Sequence, residues 1–171
     1  MSKNDRRQEI IDKYVFNSLD YAQRQRNEMT FVENADLKGY RLNKEIMRNL
    51  LKDNNDMFVH FREEYGENLH DVTYELVRPG LDAMRKEDLA KRYSAGQFIL
   101  KERRNLDETW VEEGDVDKWI RNRKGMAELI NSLREMRDEF ERYYGESIDE
   151  YVKEDQDKSE DKAEISDDLE L

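Results

Sequence analysis

The sequence predicts an all-α protein made of two similar helical modules and an acidic C-terminal tail. Four observations lead to this prediction. No segment alternates apolar and polar residues as a half-buried strand does. The chain resembles itself when Thr30 is laid over Thr109, and the segment 146–171 carries most of the excess negative charge. The composition, with 42% charged and 36% hydrophobic residues, is typical of helices with a narrow core or of disorder.

The internal similarity is gapless. When Thr30–Glu67 is laid over Thr109–Glu146, 12 of 38 positions are identical, whereas random pairing would give roughly two or three matches. We therefore predict a tandem duplication of a module of about 75 residues, in the order long helix, short capped helix, long helix, short helix. The predicted boundaries are 1–78 for copy 1, 79–80 for a Pro-Gly junction, 81–153 for copy 2 and 154–171 for the tail.

The first helix of each copy is predicted from apolar residues at three- and four-residue spacing. It covers roughly Asp5–Glu28 in copy 1 and Asp82–Asp107 in copy 2. Pro79, the only proline, is followed by Gly80, and this pair predicts a chain break between the copies.

A short helix follows in each copy. Thr30 precedes Glu33 by three residues, and Thr109 precedes Glu112 in the same way. This spacing is the capping-box pattern, which predicts helix starts at Phe31 and Trp110. We expect both aromatic side chains to lie in the module core.

A second long helix is predicted from a continuous apolar stripe, which includes Met126, Leu133 and Phe140 in copy 2. Gly66 and Gly145 lie where a left-handed residue would end this helix. A final short helix is predicted to start near Glu67 and Glu146.

The negative charge is concentrated at the C-terminus. Residues 146–171 contain twelve acidic residues and three lysines, a net charge of −9 out of −12 for the whole chain. After Val152 no apolar periodicity remains, so the segment 154–171 is predicted to be disordered because it cannot bury enough surface to offset chain entropy.

Composition also bears on location and chemistry. The absence of cysteine excludes disulfides and thiolate chemistry. No apolar run approaches the roughly 18 residues of a membrane span, and the N-terminus lacks the apolar core of a signal peptide. We therefore expect an intracellular, cytoplasmic protein with no membrane partner.

Catalytic patterns are weak. Glu63, Glu64 and Glu67 resemble half of the metal-binding motif of helical nucleotide pyrophosphohydrolases, but the second half is missing. Glu67 and His70 have the Glu-x-x-His spacing of di-iron bundles, without the second pair that such sites need. We expect no enzyme activity, metal or cofactor, and a metal-dependent helical hydrolase is the third alternative.

Basic residues form the candidate binding face. The predicted order of a helix, a short capped helix and a helix with a basic outer face is loosely similar to that of a helix-turn-helix reader. Its members are Arg24, Arg26, Arg41, Lys44, Arg48, Lys52, Arg103, Arg104, Arg121, Arg123 and Lys124. Residues shared by the two copies are mainly core and capping residues, while exposed positions differ. We therefore expect a non-catalytic adaptor, inhibitor or assembly factor that binds another protein. The alternative is a small DNA- or RNA-binding regulator, and the oligomeric state stays open.

Overall fold

A computed structural model describes the backbone of residues 2–167 and the side chains of residues 2–158. Over this range the chain forms six α-helices and no strand, which confirms the all-α prediction. The helices are α1 (Lys3–Arg26), α2 (Glu28–Glu33), α3 (Leu37–Tyr65), α4 (Leu69–Glu113), α5 (Val116–Tyr144) and α6 (Ile148–Asp167). Within the described residues, no helix has the length and apolar character needed to cross a membrane.

The chain divides into two compact units, Met1–Met84 and Arg85–Leu171, with the boundary inside α4. In the first unit, α1 packs along α3, and the N-terminal part of α4 completes the core. This core consists of Ile11, Tyr14, Phe61 and Leu69. Phe61 and Leu69 are fully buried, so the end of α3 and the start of α4 both contribute to the interior.

The second unit has its own core between α4, α5 and α6. The core residues are Leu89, Ala90, Tyr93, Leu133, Phe140 and Ile148. Phe140 and Ile148 are fully buried. Each unit therefore buries a phenylalanine near the end of its 29-residue helix and an aliphatic residue at the start of the next helix.

The ends of α3 and α5 follow local rules. The N-cap aspartates Asp36 and Asp115 accept hydrogen bonds from backbone N–H groups three residues later. Gly66 and Gly145 end the helices with φ of 69° and 67°, a left-handed conformation in which a β-carbon would be strained. The predicted C-terminal glycines are confirmed, while sequence reasoning missed the aspartate caps.

The predicted capping boxes at Thr30 and Thr109 are wrong. In the first unit α2 starts at Glu28, directly after α1, so Thr30 already lies within the helix. In the second unit α4 continues through Thr109, whose hydroxyl donates to the carbonyl of Asn105 at 3.3 Å. Between Gly96 and Gly114, where φ is 69°, the sequence has no glycine or proline that would interrupt the helix.

The predicted chain break at Pro79 and Gly80 is also wrong, because both residues lie inside α4. A proline removes one helical hydrogen bond and crowds the preceding turn, but the helix continues on both sides. Gly80 lies against α1: a β-carbon there would be 2.6 Å from Cδ2 of Leu19. The glycine therefore permits close helix packing rather than a turn. The short helix predicted near Glu67 and the helix predicted from Asp82 are parts of this one element.

The C-terminal helix begins at Ile148, as the pattern near Glu146 predicted, but it continues to Asp167. It thus extends into the segment 154–171 for which disorder was predicted. Residues 168–171 lie outside the described residues. Tyr151 and Val152 pack against the core of the second unit, whereas disorder of the following segment in solution stays a prediction.

Candidate functional site

Several residues of the predicted basic face form ion pairs with acidic residues. Lys44 pairs with Glu28 at 2.5 Å, and Arg123 pairs with Asp107 at 2.8 Å. The hydrogen bond that Lys44 donates to the carboxylate of Glu28 raises the pKa of Lys44. Arg24 binds an aspartate four residues earlier on α1 at 3.1 Å. These cations are thus partly neutralised by their neighbours.

The rest of the basic set has mixed roles. Arg26 donates to the side-chain oxygen of Gln23, and Arg121 donates to the backbone carbonyl of Asp117. The carbonyl of Arg103 accepts a hydrogen bond from the side chain of a buried asparagine on α5. The exposed members with no ion pair among the described residues are Arg41, Arg48, Lys52, Arg104 and Lys124.

Two residues of the weak metal patterns, Glu67 and His70, contact side chains of α1. Arg7 binds both carboxylate oxygens of Glu67, at 2.9 and 2.6 Å, and this hydrogen bonding lowers the pKa of Glu67. Nδ1 of His70 lies 2.6 Å from the hydroxyl of Tyr14. Within the described residues, no group of three or more potential ligands could hold a metal ion.

The most distinctive surface feature is an apolar hollow at the turn between α2 and α3. We call it the first corner; it is lined by Phe31, Val32, Ala35, Asp36, Leu37 and Tyr40. The two aromatic rings are half-buried, while Val32 and Leu37 are 58% and 60% exposed. The hollow has a volume of about 290 Å³.

The turn itself creates the first corner. The backbone N–H of Asp36 donates to the carbonyl of Phe31 at 2.8 Å. Ala35 has a φ of 53°, the only positive φ of a non-glycine residue in the described chain. This conformation costs about 1–2 kcal/mol for an L-residue, and it turns the chain so that the start of α3 lies beside α2.

The second unit has a matching hollow between the end of α4 and the start of α5. This second corner consists of Trp110, Val111, Gly114, Val116 and Trp119 and has a volume of about 260 Å³. Every member coincides with its counterpart in the first corner when the sequences are aligned with Thr30 on Thr109. The backbone N–H of Asp115 again donates across the turn, to the carbonyl of Trp110 at 3.0 Å.

The second corner has the same pattern of exposure as the first. Val111 and Val116 are 59% and 60% exposed, and both tryptophans are half-buried. Phe31 and Trp110 were expected to lie in the core, and the structure places them at half-buried surface positions instead. The identical pair Val32 and Val111 is exposed, an exception to the expectation that shared residues are mainly core and capping residues.

Cationic side chains lie on the aromatic rings of both corners. Nζ of Lys44 is 5.6 Å from the centre of the Tyr40 ring. Nζ of Lys118 is 4.6 Å from the centre of the Trp110 ring, and the guanidinium of Arg123 is 5.8 Å from that of Trp119. Such contacts orient the rings. The sequence signal for this site was the repeated aromatic and aliphatic spacing, which had been assigned to the core.

No protein-family model, curated protein or solved structure matches this chain.

Proposed function

We propose that this chain is a non-catalytic binding protein that contacts another protein through its two corners. The single observation that carries the proposal is the repetition of an exposed apolar hollow at equivalent turns of both units. Isolated exposed apolar residues are common on protein surfaces, whereas apolar residues clustered around half-buried aromatic rings mark interaction sites. The roles of adaptor, inhibitor and assembly factor all remain within this proposal.

The composition of the corners favours a protein as the ligand. Aromatic side chains provide large contact areas at low cost in side-chain entropy and dominate binding hot spots. A hollow of about 260–290 Å³ accommodates one or two apolar side chains of a partner. Since each corner is small, two similar corners on one chain support binding through two anchors, which raises the overall affinity.

We further propose that the two units arose by tandem duplication of one module. Equivalent contacts support this. The side chain of Asn43 donates to the carbonyl of Arg24 at 3.0 Å, and that of Asn122 donates to the carbonyl of Arg103 at 2.8 Å. Tyr14 and Tyr93 are likewise both buried, and they align in the same register.

The corners can be tested by charge insertion. Four proteins are immobilised and exposed to extract from native cells. They are the full-length protein, the single variants Val32→Glu and Val111→Glu, and the double variant. Val59→Glu is the matched control, because Val59 is 54% exposed on α3 but belongs to neither corner. A carboxylate in an apolar contact is costly to desolvate, so we expect the double variant to lose its protein partner while the control retains it.

The same variants and the purified partner then provide a quantitative test. Each single variant should raise the dissociation constant by at least about tenfold, since one buried aliphatic side chain contributes roughly 1.5–3 kcal/mol. Equal thermal midpoints for all variants would establish that folding is unaffected. The proposal is wrong if the double variant binds the partner as tightly as the Val59→Glu protein does.

Nucleic-acid binding is the second candidate, favoured by one observation. Arg41, Arg48 and Lys52 are exposed on α3 at helical spacing and have no ion pair within the described part of the chain. Fluorescence anisotropy with a labelled 20-base-pair duplex measures this activity. Submicromolar binding that weakens steeply with salt and disappears in the Arg41→Glu/Arg48→Glu variant would favour this candidate over protein binding.

A further inference from the structure

The second unit contains an open groove between α4 and α5 that is separate from the second corner. It has a volume of about 440 Å³. From α4 it is lined by Tyr93, Gln97, Leu100 and Arg104, and from α5 by Ile130, Leu133, Arg134 and Arg137. The lining residues of each helix follow a spacing of three and four residues, so one face of α4 and one face of α5 border the groove. We call it the arginine groove.

The lining of the arginine groove contains three arginines and no acidic residue, on a chain whose net charge is −12. Arg104, Arg134 and Arg137 are exposed and form no ion pair within the described residues. At the Tyr93 end of the groove, the carboxylate of Asp149 accepts hydrogen bonds from Tyr93 at 2.7 Å and Gln97 at 3.3 Å. The groove therefore presents three exposed guanidinium groups to a ligand.

The positive charge is specific to the second unit. In the alignment of Thr30 with Thr109, the positions of Arg104, Arg134 and Arg137 are occupied in the first unit by Gln25, Asn55 and Phe58. The shared scaffold therefore does not require arginine at these sites.

We infer that the arginine groove binds an acidic segment of a partner protein, with carboxylates on the arginines and an apolar side chain on the groove floor. Leu100, Ile130 and Leu133 provide the floor. Arginine presents a planar set of donors that binds carboxylates in a bidentate manner. This is a third contact surface, and it does not depend on the corners of the proposed function.

The spacing of the arginines sets the length of the ligand. Along α4 the groove extends from Tyr93 to Arg104. The rise of α4 from Tyr93 to Arg104 corresponds to about 16 Å of helix. A single inorganic anion cannot reach both ends of this groove, whereas about three turns of a helical peptide can.

The acidic C-terminal segment of this chain is a less suitable ligand. Asp149 contacts the Tyr93 and Gln97 end of the groove, and Asp155 lies with Glu87 around a neighbouring cavity. Helix α6 therefore leads away from Arg104, and Asp167 lies about 27 Å further along its axis than Asp149.

The test uses the full-length protein and a labelled probe, a 15-residue helical peptide with leucines every three or four residues and glutamates between them. An otherwise identical peptide with glutamine in place of glutamate is the control probe. Fluorescence anisotropy should show binding of the glutamate peptide at least about tenfold tighter than that of the glutamine peptide. Equal affinity for the two peptides would overturn the inference.

The protein variants locate the site. The triple variant Arg104→Gln/Arg134→Gln/Arg137→Gln should lose about tenfold or more in affinity for the glutamate peptide. The matched control is Arg41→Gln/Arg48→Gln/Lys52→Gln, which removes the same charge from exposed positions of α3 and should change the affinity less than about twofold. Equal losses in both variants would indicate non-specific attraction and overturn the inference.

Two other ligands are separate outcomes of the same assay. Binding of the glutamate peptide only after removal of residues 159–171 would show that the chain's own acidic segment occupies the groove, and would overturn the inference of a partner segment. Tighter binding of a single-stranded oligonucleotide of equal charge, lost in the triple variant, would assign the groove to nucleic acid instead. The double variant Val32→Glu/Val111→Glu should bind the peptide as the wild type does. A failure of the arginine-groove inference can therefore be distinguished from a failure of the proposed function of the corners.

Discussion

The buried asparagine Asn122 provides the sharpest test of the helix packing in the second unit. This residue is 7% exposed, and its Nδ2 donates to the backbone carbonyl of Arg103 at 2.8 Å. The substitution Asn122→Asp keeps the shape of the side chain but replaces the donor by an acceptor. At neutral pH a carboxylate oxygen would then face a carbonyl oxygen, and the hydrogen bond between α5 and α4 would be lost.

The loss of unfolding free energy depends on whether the new carboxyl group is ionised or protonated in the folded protein. An unsatisfied buried carbonyl costs about 1–3 kcal/mol. The variant can instead fold with a protonated carboxyl group, whose hydroxyl donates to the same carbonyl. Starting from a pKa of about 3.9 in the unfolded chain, protonation at pH 7 costs about 4 kcal/mol. We therefore expect Asn122→Asp to lose between about 1 and 4 kcal/mol of unfolding free energy at pH 7.

The pH dependence distinguishes this mechanism from a simple packing defect. A folded-state pKa above that of the unfolded chain means that the folded protein binds more protons, so the variant loses stability as pH rises. Its deficit relative to the wild type should shrink by up to about 1.4 kcal/mol per pH unit between pH 7 and pH 4. Urea unfolding of both proteins, followed by circular dichroism at several pH values, measures this difference in unfolding free energy.

Two controls complete this experiment. Asn131→Asp adds the same charge at an exposed position of α5 and should change stability by less than about 0.5 kcal/mol. Asn43→Asp should have a weaker pH dependence than Asn122→Asp, because Nη1 of Arg24 lies 3.4 Å from Oδ1 of Asn43 and stabilises a carboxylate there. A deficit of Asn122→Asp that is below about 0.5 kcal/mol at pH 7 would refute the reasoning.

Three further predictions concern the core, the turns and the tail. Phe140→Ala should cost about 3–5 kcal/mol in urea unfolding because Phe140 is fully buried, whereas Phe98→Ala, at a side chain that is 65% exposed, should cost under about 1 kcal/mol. Ala35→Gly should raise the free energy of unfolding by up to about 1 kcal/mol because it relieves a left-handed alanine, and Gly114→Ala should lower it by a similar amount. Removal of 154–171 should leave the thermal midpoint within about 2 °C, and a larger drop would show that this segment packs on the second unit.

Local signals in the sequence determined the class of the fold and several helix ends. Apolar residues at helical spacing predicted α1, α3 and α5, and the stripe containing Phe140 does face the core. Gly66 and Gly145 were recognised as helix ends because the left-handed conformation is a property of single residues. Such features depend on a few neighbouring residues, so the sequence alone contains the necessary information.

The tertiary structure decided which of the remaining helix breaks occur. Pro79 and Gly80 read as a break, yet close packing of Gly80 on Leu19 keeps this segment within α4. The chain between α1 and α2 is interrupted at Asn27, whereas the equivalent position in the second unit is Leu106, a strong helix former, and the helix continues. The residues around such positions allow the helix either to end or to continue, and packing against other helices selects one of the two.

The candidate sites also depend on the tertiary structure. The corners contain aromatic and aliphatic residues at helical spacing, a pattern that is the same for a buried face and for an exposed hollow. The arginine groove combines Arg104 with Arg134 and Arg137, which are about 30 residues distant along the chain. Only the pairing of α4 with α5 brings these charges to one groove, because residues that are remote in sequence become neighbours through the burial of a shared core.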